Sequence, residues 1–403
     1  MKIFIKKALN PLKIFISDSR FIGVLLVSCT IISLIISNSA HGDWYRSIFT
    51  ADPDYGLPLH LPDTGLKWIN DFLMAFFFLF AGMEIKRELS VGELSSFKKA
   101  ILPFGAALGG MIVPALIYSS FNINSDFSHG WGIPTATDIA FSIGIASLFG
   151  KRVPGNLKIL LMALAIIDDL GAIVVIALFY GNEINWLFLL IAAFVYGLLW
   201  LCNYLKIKPG IIQIILAFSL WYLIYNAGIE GSITGVLVAF AMPVNSLPKL
   251  EIPLEKAVNF FILPLFAIAN TAILIPHDIA GALNSTISIG IIAGLVIGKP
   301  VGIFIFSSMM ISLKIAKLPT NTNLKQLLGM GSLAGIGFTM SIFTTSLAFD
   351  TEQYMDTAKI AILISLVLSM LFSWIYFLML EKRTIIPEYK KLRPVKYSKL
   401  SLS

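Results

Sequence analysis

Asp168 and Asp169 stand side by side in the middle of residues 159–180, an otherwise apolar run long enough to cross a bilayer. A charged side chain at mid-membrane costs about 2.5–3.5 kcal/mol even on lenient insertion scales, so a neighbouring pair there points to binding or moving something charged. Two carboxylates roughly 5 Å apart at an effective dielectric of about 20 repel by roughly 3 kcal/mol, which splits their proton release into coupled steps. A hard cation such as Na+ or Li+ seeks oxygen ligands and offsets that repulsion, so cation and protons compete for one site.

Other ionisable or polar groups fall in the same part of the chain. Thr137 and Asp138 follow Pro134 in the fourth apolar span, and Lys299 lies in Val296-Ile-Gly-Lys-Pro-Val-Gly302 of the tenth. An ammonium in hydrocarbon needs a carboxylate partner or a cavity, and the nearest available anions are these aspartates. Adjacent helix positions diverge by about 100°, so Asp168 and Asp169 cannot both face one partner squarely. One is free to pair with Lys299 while the other faces the ion path.

The elements that must position these groups are membrane helices. The 403 residues are 57% hydrophobic and only 13% charged, too apolar for a soluble domain. Stretches near the ~20-residue bilayer length number about twelve, near residues 19–37, 68–85, 100–121, 130–149, 157–180, 185–203, 210–226, 229–243, 257–275, 286–312, 327–349 and 357–380. Lysine and arginine mark alternate connections, through Lys86, Arg87, Lys98 and Lys99, then Lys151 and Arg152, then Lys206 and Lys208, then Lys249, then Lys314, Lys317 and Lys325. By the positive-inside rule both termini are cytoplasmic, which requires an even number of spans. The net charge of +7 thereby reports topology and attraction to anionic lipid, and nucleic-acid binding is not needed to explain it.

The expected organisation is a cytoplasmic amphipathic segment at 1–18, one transmembrane transporter domain at 19–380, and a basic cytoplasmic tail at 381–403. Residues 38–67, with four aspartates and a Tyr-Gly-Leu-Pro cluster, read as an extramembrane hairpin or loop. Cys29 and Cys202 lie inside apolar spans and form no disulfide framework. His41, His60, His129 and His277 fall in extracytoplasmic loops or at their edges, which argues against a histidine metal site or proton relay within the membrane. No cofactor is implied.

Pro134 with its glycine and threonine neighbours interrupts the fourth span, and Gly331, Gly335 and Gly337 interrupt the eleventh. Two interrupted helices at corresponding positions point to a transporter site. Units at about 100–180 and 286–380, each with a broken middle helix, start an odd number of spans apart and are therefore inverted repeats. Where the breaks cross, half-helix ends present partial charges of both signs.

These motifs resemble the bacterial NhaA sodium/proton antiporters: Pro134-Thr-Ala-Thr-Asp138, Ile166-Ile-Asp-Asp-Leu-Gly-Ala172, Leu263-Pro-Leu-Phe-Ala-Ile-Ala-Asn270, Gly298-Lys-Pro300 and Gly335-Ile-Gly-Phe-Thr-Met-Ser-Ile-Phe343. The family is itself an example of inverted-repeat transporters. The resemblance implies an electrogenic Na+(Li+)/H+ antiporter of the inner membrane, with Asp168 and Asp169 as the cation- and proton-binding pair. It further implies that Asp138 and Thr137 balance the half-helix dipoles and that Lys299 pairs with an aspartate. Glu84, Arg87, Glu88 and Glu251 match the family's pH-responsive cytoplasmic region. The chain departs from the family after Glu251, where the usual histidines are missing, and at Glu230, which replaces a frequent histidine and is expected at a water-accessible helix start. Membrane lipid is an expected partner, and a homodimer is left open.

Other functions fit less well. An intramembrane aspartyl protease needs its carboxylates on two facing helices, and no Gly-x-Gly-Asp motif occurs. A prenyl transferase needs clustered aspartates near the interface. A sodium-coupled symporter on a similar scaffold is the remaining alternative.

Overall fold

In a computed structural model, residues 19–52, 60–181, 183–207, 210–276 and 278–384 are described, and every regular element among them is helical. The expected amphipathic segment at 1–18 and most of the basic tail lie outside the described residues. The helices are α1 (Ser19–Ser37), α2 (Gly42–Thr50), α3 (Gly65–Val91), α4 (Phe97–Asn122), α5 (Ile139–Leu148), α6 (Gly155–Phe179), α7 (Trp186–Tyr204) and α8 (Ile211–Asn226). They continue as α9 (Ile233–Ala241), α10 (Val244–Asn270), α11 (Ile279–Leu283), α12 (Thr286–Ser312), α13 (Leu324–Ala334), α14 (Phe338–Ala348) and α15 (Glu352–Thr384). Among the described residues, seven helices are individually long and apolar enough to cross a membrane, and up to nine spans result if each of two sharply bent pairs counts as one. The sequence expectation of about twelve also counts α5, α8 and α9, which are too short to satisfy that test alone.

The stretch expected as a hairpin or loop holds a helix instead, because α2 folds back from α1 at 116°. Tyr45 and Phe49, one turn apart, bury their rings, and Arg46 bonds to the Ser37 carbonyl and to Asp43. Leu178, Leu190 and Phe194 project outward, as on a surface solvated by lipid.

Glycines set the closest helix contacts. A side chain at Gly109 of α4 would meet the Gly302 carbonyl of α12 at 2.3 Å, and one at Gly302 would meet the Gly109 carbonyl at 2.1 Å. The backbones of α4 and α12 therefore touch, a small-residue packing suited to membrane helices. Gly235 of α9 approaches the Ala75 carbonyl of α3 in the same way. The centre of the molecule is built by α4, α6 and α12, against which the two interrupted segments pack. A separate apolar cluster joins α7, α8 and α9.

Candidate functional site

A 3-10 helix over Ser128–Thr135 precedes an extended Ala136-Thr137-Asp138, after which α5 begins. On the other side, α13 ends at Ala334, Gly335 to Gly337 bridge a 51° bend, and α14 starts at Phe338. These two non-helical stretches lie against each other, with the Asp138 amide donating to the Ile336 carbonyl at 2.7 Å and the Ser142 hydroxyl to Leu333 at 2.8 Å. Side-chain volume has no room there, since a Cβ on Gly337 would sit 2.7 Å from the Ala136 carbonyl.

Each free helix end in this contact meets a group of opposite sign. Asp138 Oδ1 accepts from the Phe141 amide of its own helix at 3.0 Å, while Oδ2 accepts the Thr339 amide of α14 at 3.1 Å and the Thr339 hydroxyl at 2.5 Å. One carboxylate thus caps two N-termini, where amides are unpaired and the dipole is positive. At the opposite ends, Lys299 Nζ donates to the Thr135 carbonyl, and Thr137 Oγ1 lies 3.0 Å from the Ala334 carbonyl. A π turn over Gly294–Gly298 immediately precedes Lys299 and widens α12 just where this side chain must turn inward.

Lys299 Nζ also lies 3.0 Å from Asp168 Oδ2, and both side chains are fully buried. Thr137 Oγ1 lies 2.6 Å from the same carboxylate oxygen, so its single proton is shared between Asp168 and Ala334. Asp169 points elsewhere. It lines a cavity of about 200 Å³ together with Glu84, Thr137, Asp138, Thr339 and Glu255. Asp168 Oδ1 and Asp169 Oδ1 are both buried, and among the described residues neither has a hydrogen-bond partner. Native proteins rarely leave such oxygens without a proton, cation or water, so these two are the acceptors in this centre with capacity to spare.

The charged end of α3 borders that cavity through Glu84. Arg87 Nη1 bonds Glu251 Oε1 at 2.7 Å, and Nη2 lies 3.5 Å from Glu88 and 3.9 Å from Glu84. Glu251, 164 positions away in sequence, is brought to Arg87 because α10 packs on α3. Lys86 caps the C-terminal carbonyls of α9 at Phe240 and Met242, tying the third helix to it.

Two features escape the sequence reading. Glu230 is only half-exposed, its Oε1 is closed off from solvent, and its carboxyl reaches that of Asp71 and the Ser232 amide. Open water access at a helix start is therefore corrected to a carboxyl pair at the junction of α8, α9 and α3. A carboxylate at the edge of the Asn70-Asp-Phe-Leu run was the available signal. Lys359, inside the last apolar helix, is buried with Asp356 and Glu352 as its charged neighbours one and two turns away. Its place within an apolar run marked it as much as Lys299 was marked.

Helices that cross a bilayer around an interrupted, charge-bearing centre define a class, a polytopic membrane transporter. The family follows from comparison with known proteins. A family model described as Na+/H+ antiporter 1 matches residues 13–377. The chain is 45% identical over 382 residues to Na(+)/H(+) antiporter NhaA 2 of Clostridium beijerinckii, covering 92% of this chain and 95% of that one. It is 45% identical over 381 residues to Na(+)/H(+) antiporter NhaA of Flavobacterium psychrophilum, at 93% and 97% coverage. Identity to Na(+)/H(+) antiporter NhaA of Cytophaga hutchinsonii is 42% over 385 residues, at 94% and 98%. The chain belongs to the Na+/H+ antiporter 1 family, whose members are transporters and not enzymes.

Proposed function

We propose that the chain exchanges cytoplasmic Na+ or Li+ for external protons across the bacterial inner membrane, with Asp168 and Asp169 as the shared site. The observation that carries this reading is the pair of buried, unpartnered Oδ1 atoms on those two residues, one of them on the wall of a cavity. A cation seated between them replaces the charge that two protons would supply, so binding of one expels the other. Lys299 neutralises Asp168 while the site is open, and Asp138, Thr137 and Thr339 hold the crossing helix ends in place around it. Movement of more protons than sodium ions per cycle draws on the inside-negative potential, worth about 2.3 kcal/mol per charge per 100 mV.

In this reading spans four and eleven are the broken crossing helices of inverted repeats at about 100–180 and 286–380, within one transporter domain at 19–380, and both termini are cytoplasmic. Glu84, Arg87, Glu88 and Glu251 form the charged entrance that sets the response to cytoplasmic pH. Arg87 holds three carboxylates together, one of which, Glu84, lines the Asp169 cavity, so their ionisation alters its field.

Everted vesicles with an imposed pH gradient test the reading. Sodium should collapse the gradient in the wild type, and Asp169→Asn should abolish that collapse with protein level unchanged. Wild-type flux in Asp169→Asn removes the assignment. Sodium uptake that requires a third solute and moves no protons favours the symporter instead.

A further inference from the structure

A site of another kind lies on the outer face of the bundle between α4 and α6. At its lysine-rich end, a cavity of about 420 Å³ is lined by Lys98 and Lys99 of α4, Asn156 of α6, and Lys317 and Thr320 from the α12–α13 connection. Among the described residues, none that lines it is acidic. Both helices begin here, α4 at Phe97 and α6 at Gly155, and neither Ser96 nor Pro154 at the two N-cap positions caps its helix with a side chain. Three lysines from two separate elements therefore line one hollow beside the first turns of two helices, and their charge makes it positive. The hollow is built: Asn156 Nδ2 lies 2.9 Å from both the carbonyl and the hydroxyl of Thr320, pinning the Lys317 loop to α6.

The same two helices carry an apolar groove onward from this cavity. It encloses about 520 Å³ between Leu108, Met111 and Ile112 of α4 and Ile167, Leu170 and Val174 of α6. Leu102, on the floor of the basic cavity, and Ile112, in the groove, are ten residues apart. That is roughly 15 Å of helix, half of the ~30 Å hydrocarbon core and so the depth of one leaflet. A free anion would use only the cavity, and a zwitterionic lipid would bring an ammonium into a hollow that already holds three lysines.

We propose that this combined cavity and groove binds an anionic phospholipid of the cytoplasmic leaflet. Lys98, Lys99 and Lys317 hold its phosphate, and an acyl chain lies along the groove. The orientation follows from the lysines themselves, which mark this end as cytoplasmic. The chain would lie against α6 beside Gly171, two residues beyond Asp169 on the same helix. Binding would thereby brace the helix that carries the aspartate pair.

The test uses full-length, delipidated protein in detergent, titrated with dioleoylphosphatidylglycerol, dioleoylphosphatidylcholine or inorganic phosphate. Bound lipid is counted by native mass spectrometry and stability is followed by thermal shift. Phosphatidylglycerol should bind more tightly than phosphatidylcholine and raise the melting temperature. Lys98→Gln with Lys317→Gln should weaken phosphatidylglycerol about 30-fold, about five-fold per lysine, and leave phosphatidylcholine unchanged. Leu108→Trp, which fills the groove, should weaken both lipids, whereas exposed Lys206→Gln outside the site should change neither. Equal affinity for the two lipids, or unchanged phosphatidylglycerol binding in the double lysine variant, overturns the proposal. Inorganic phosphate that alone reproduces the thermal shift and displaces the lipid overturns it in favour of a free-anion site.

Discussion

Replacing Lys299 by Ala removes the cationic partner of a fully buried carboxylate. The ammonium lies 3.0 Å from Asp168 Oδ2 with both side chains fully buried, and it also donates to the Thr135 carbonyl. At an effective dielectric of about 20, a 3 Å pair is worth roughly 5 kcal/mol of attraction, close to the about 3–5 kcal/mol usual for breaking a buried pair from one side. The variant should therefore melt well below the wild type in detergent. The deficit should be smallest in acid, where a proton neutralises the orphaned carboxylate, and should grow as pH rises by at most about 1.4 kcal/mol per unit. Adding Asp168→Asn to Lys299→Ala removes the orphaned charge, so the double variant should regain most of the loss. A residue of about 1–2 kcal/mol remains for the emptied volume and the lost Thr135 bond. Thermal denaturation of the wild type, both single variants and the double variant across pH completes the cycle. Wild-type stability in Lys299→Ala, or no recovery in the double variant, refutes the pairing argument.

Three further outcomes follow from the same geometry. Asp138→Ala uncaps α5 and α14 together, so a loss of about 2 kcal/mol is expected, twice the usual single-cap cost of about 1, and a loss no larger than one cap would show that only one end depends on it. Because sodium and protons compete for one carboxylate pair, raising sodium should displace the activity midpoint to lower pH, by up to about one unit per tenfold increase, in vesicle flux scans; a midpoint independent of sodium separates the two sites. Glu230→Gln removes one member of the carboxyl pair with Asp71, and since ionising both members costs repulsion that grows with pH, the variant should outlast the wild type in alkaline melts and match it in acid. An unchanged alkaline melting point would show that the two carboxyls do not interact.

The sequence by itself determined that this is a helical membrane protein and which residues are expensive to bury. Asp168, Asp169, Asp138, Lys299 and the interruptions at Pro134 and Gly335 to Gly337 are all visible from hydropathy and helix-breaking chemistry, because those are properties of a residue and its near neighbours. The partnerships are not local. Thr339 reaches Asp138 across 201 positions, and Lys299 reaches the Thr135 carbonyl across 164, so each depends on where two helix breaks meet in space. Helical geometry required Asp168 and Asp169 to point apart, yet only the packing of α12 and α6 side by side on α4 decides that Asp168 faces the lysine and Asp169 the cavity. For the same reason Glu230 read as a solvated helix start until α3 brought Asp71 against it. Burial and charge pairing are set by the neighbours a fold supplies, and a one-dimensional hydropathy pattern carries the cost of a buried charge without naming the group that offsets it.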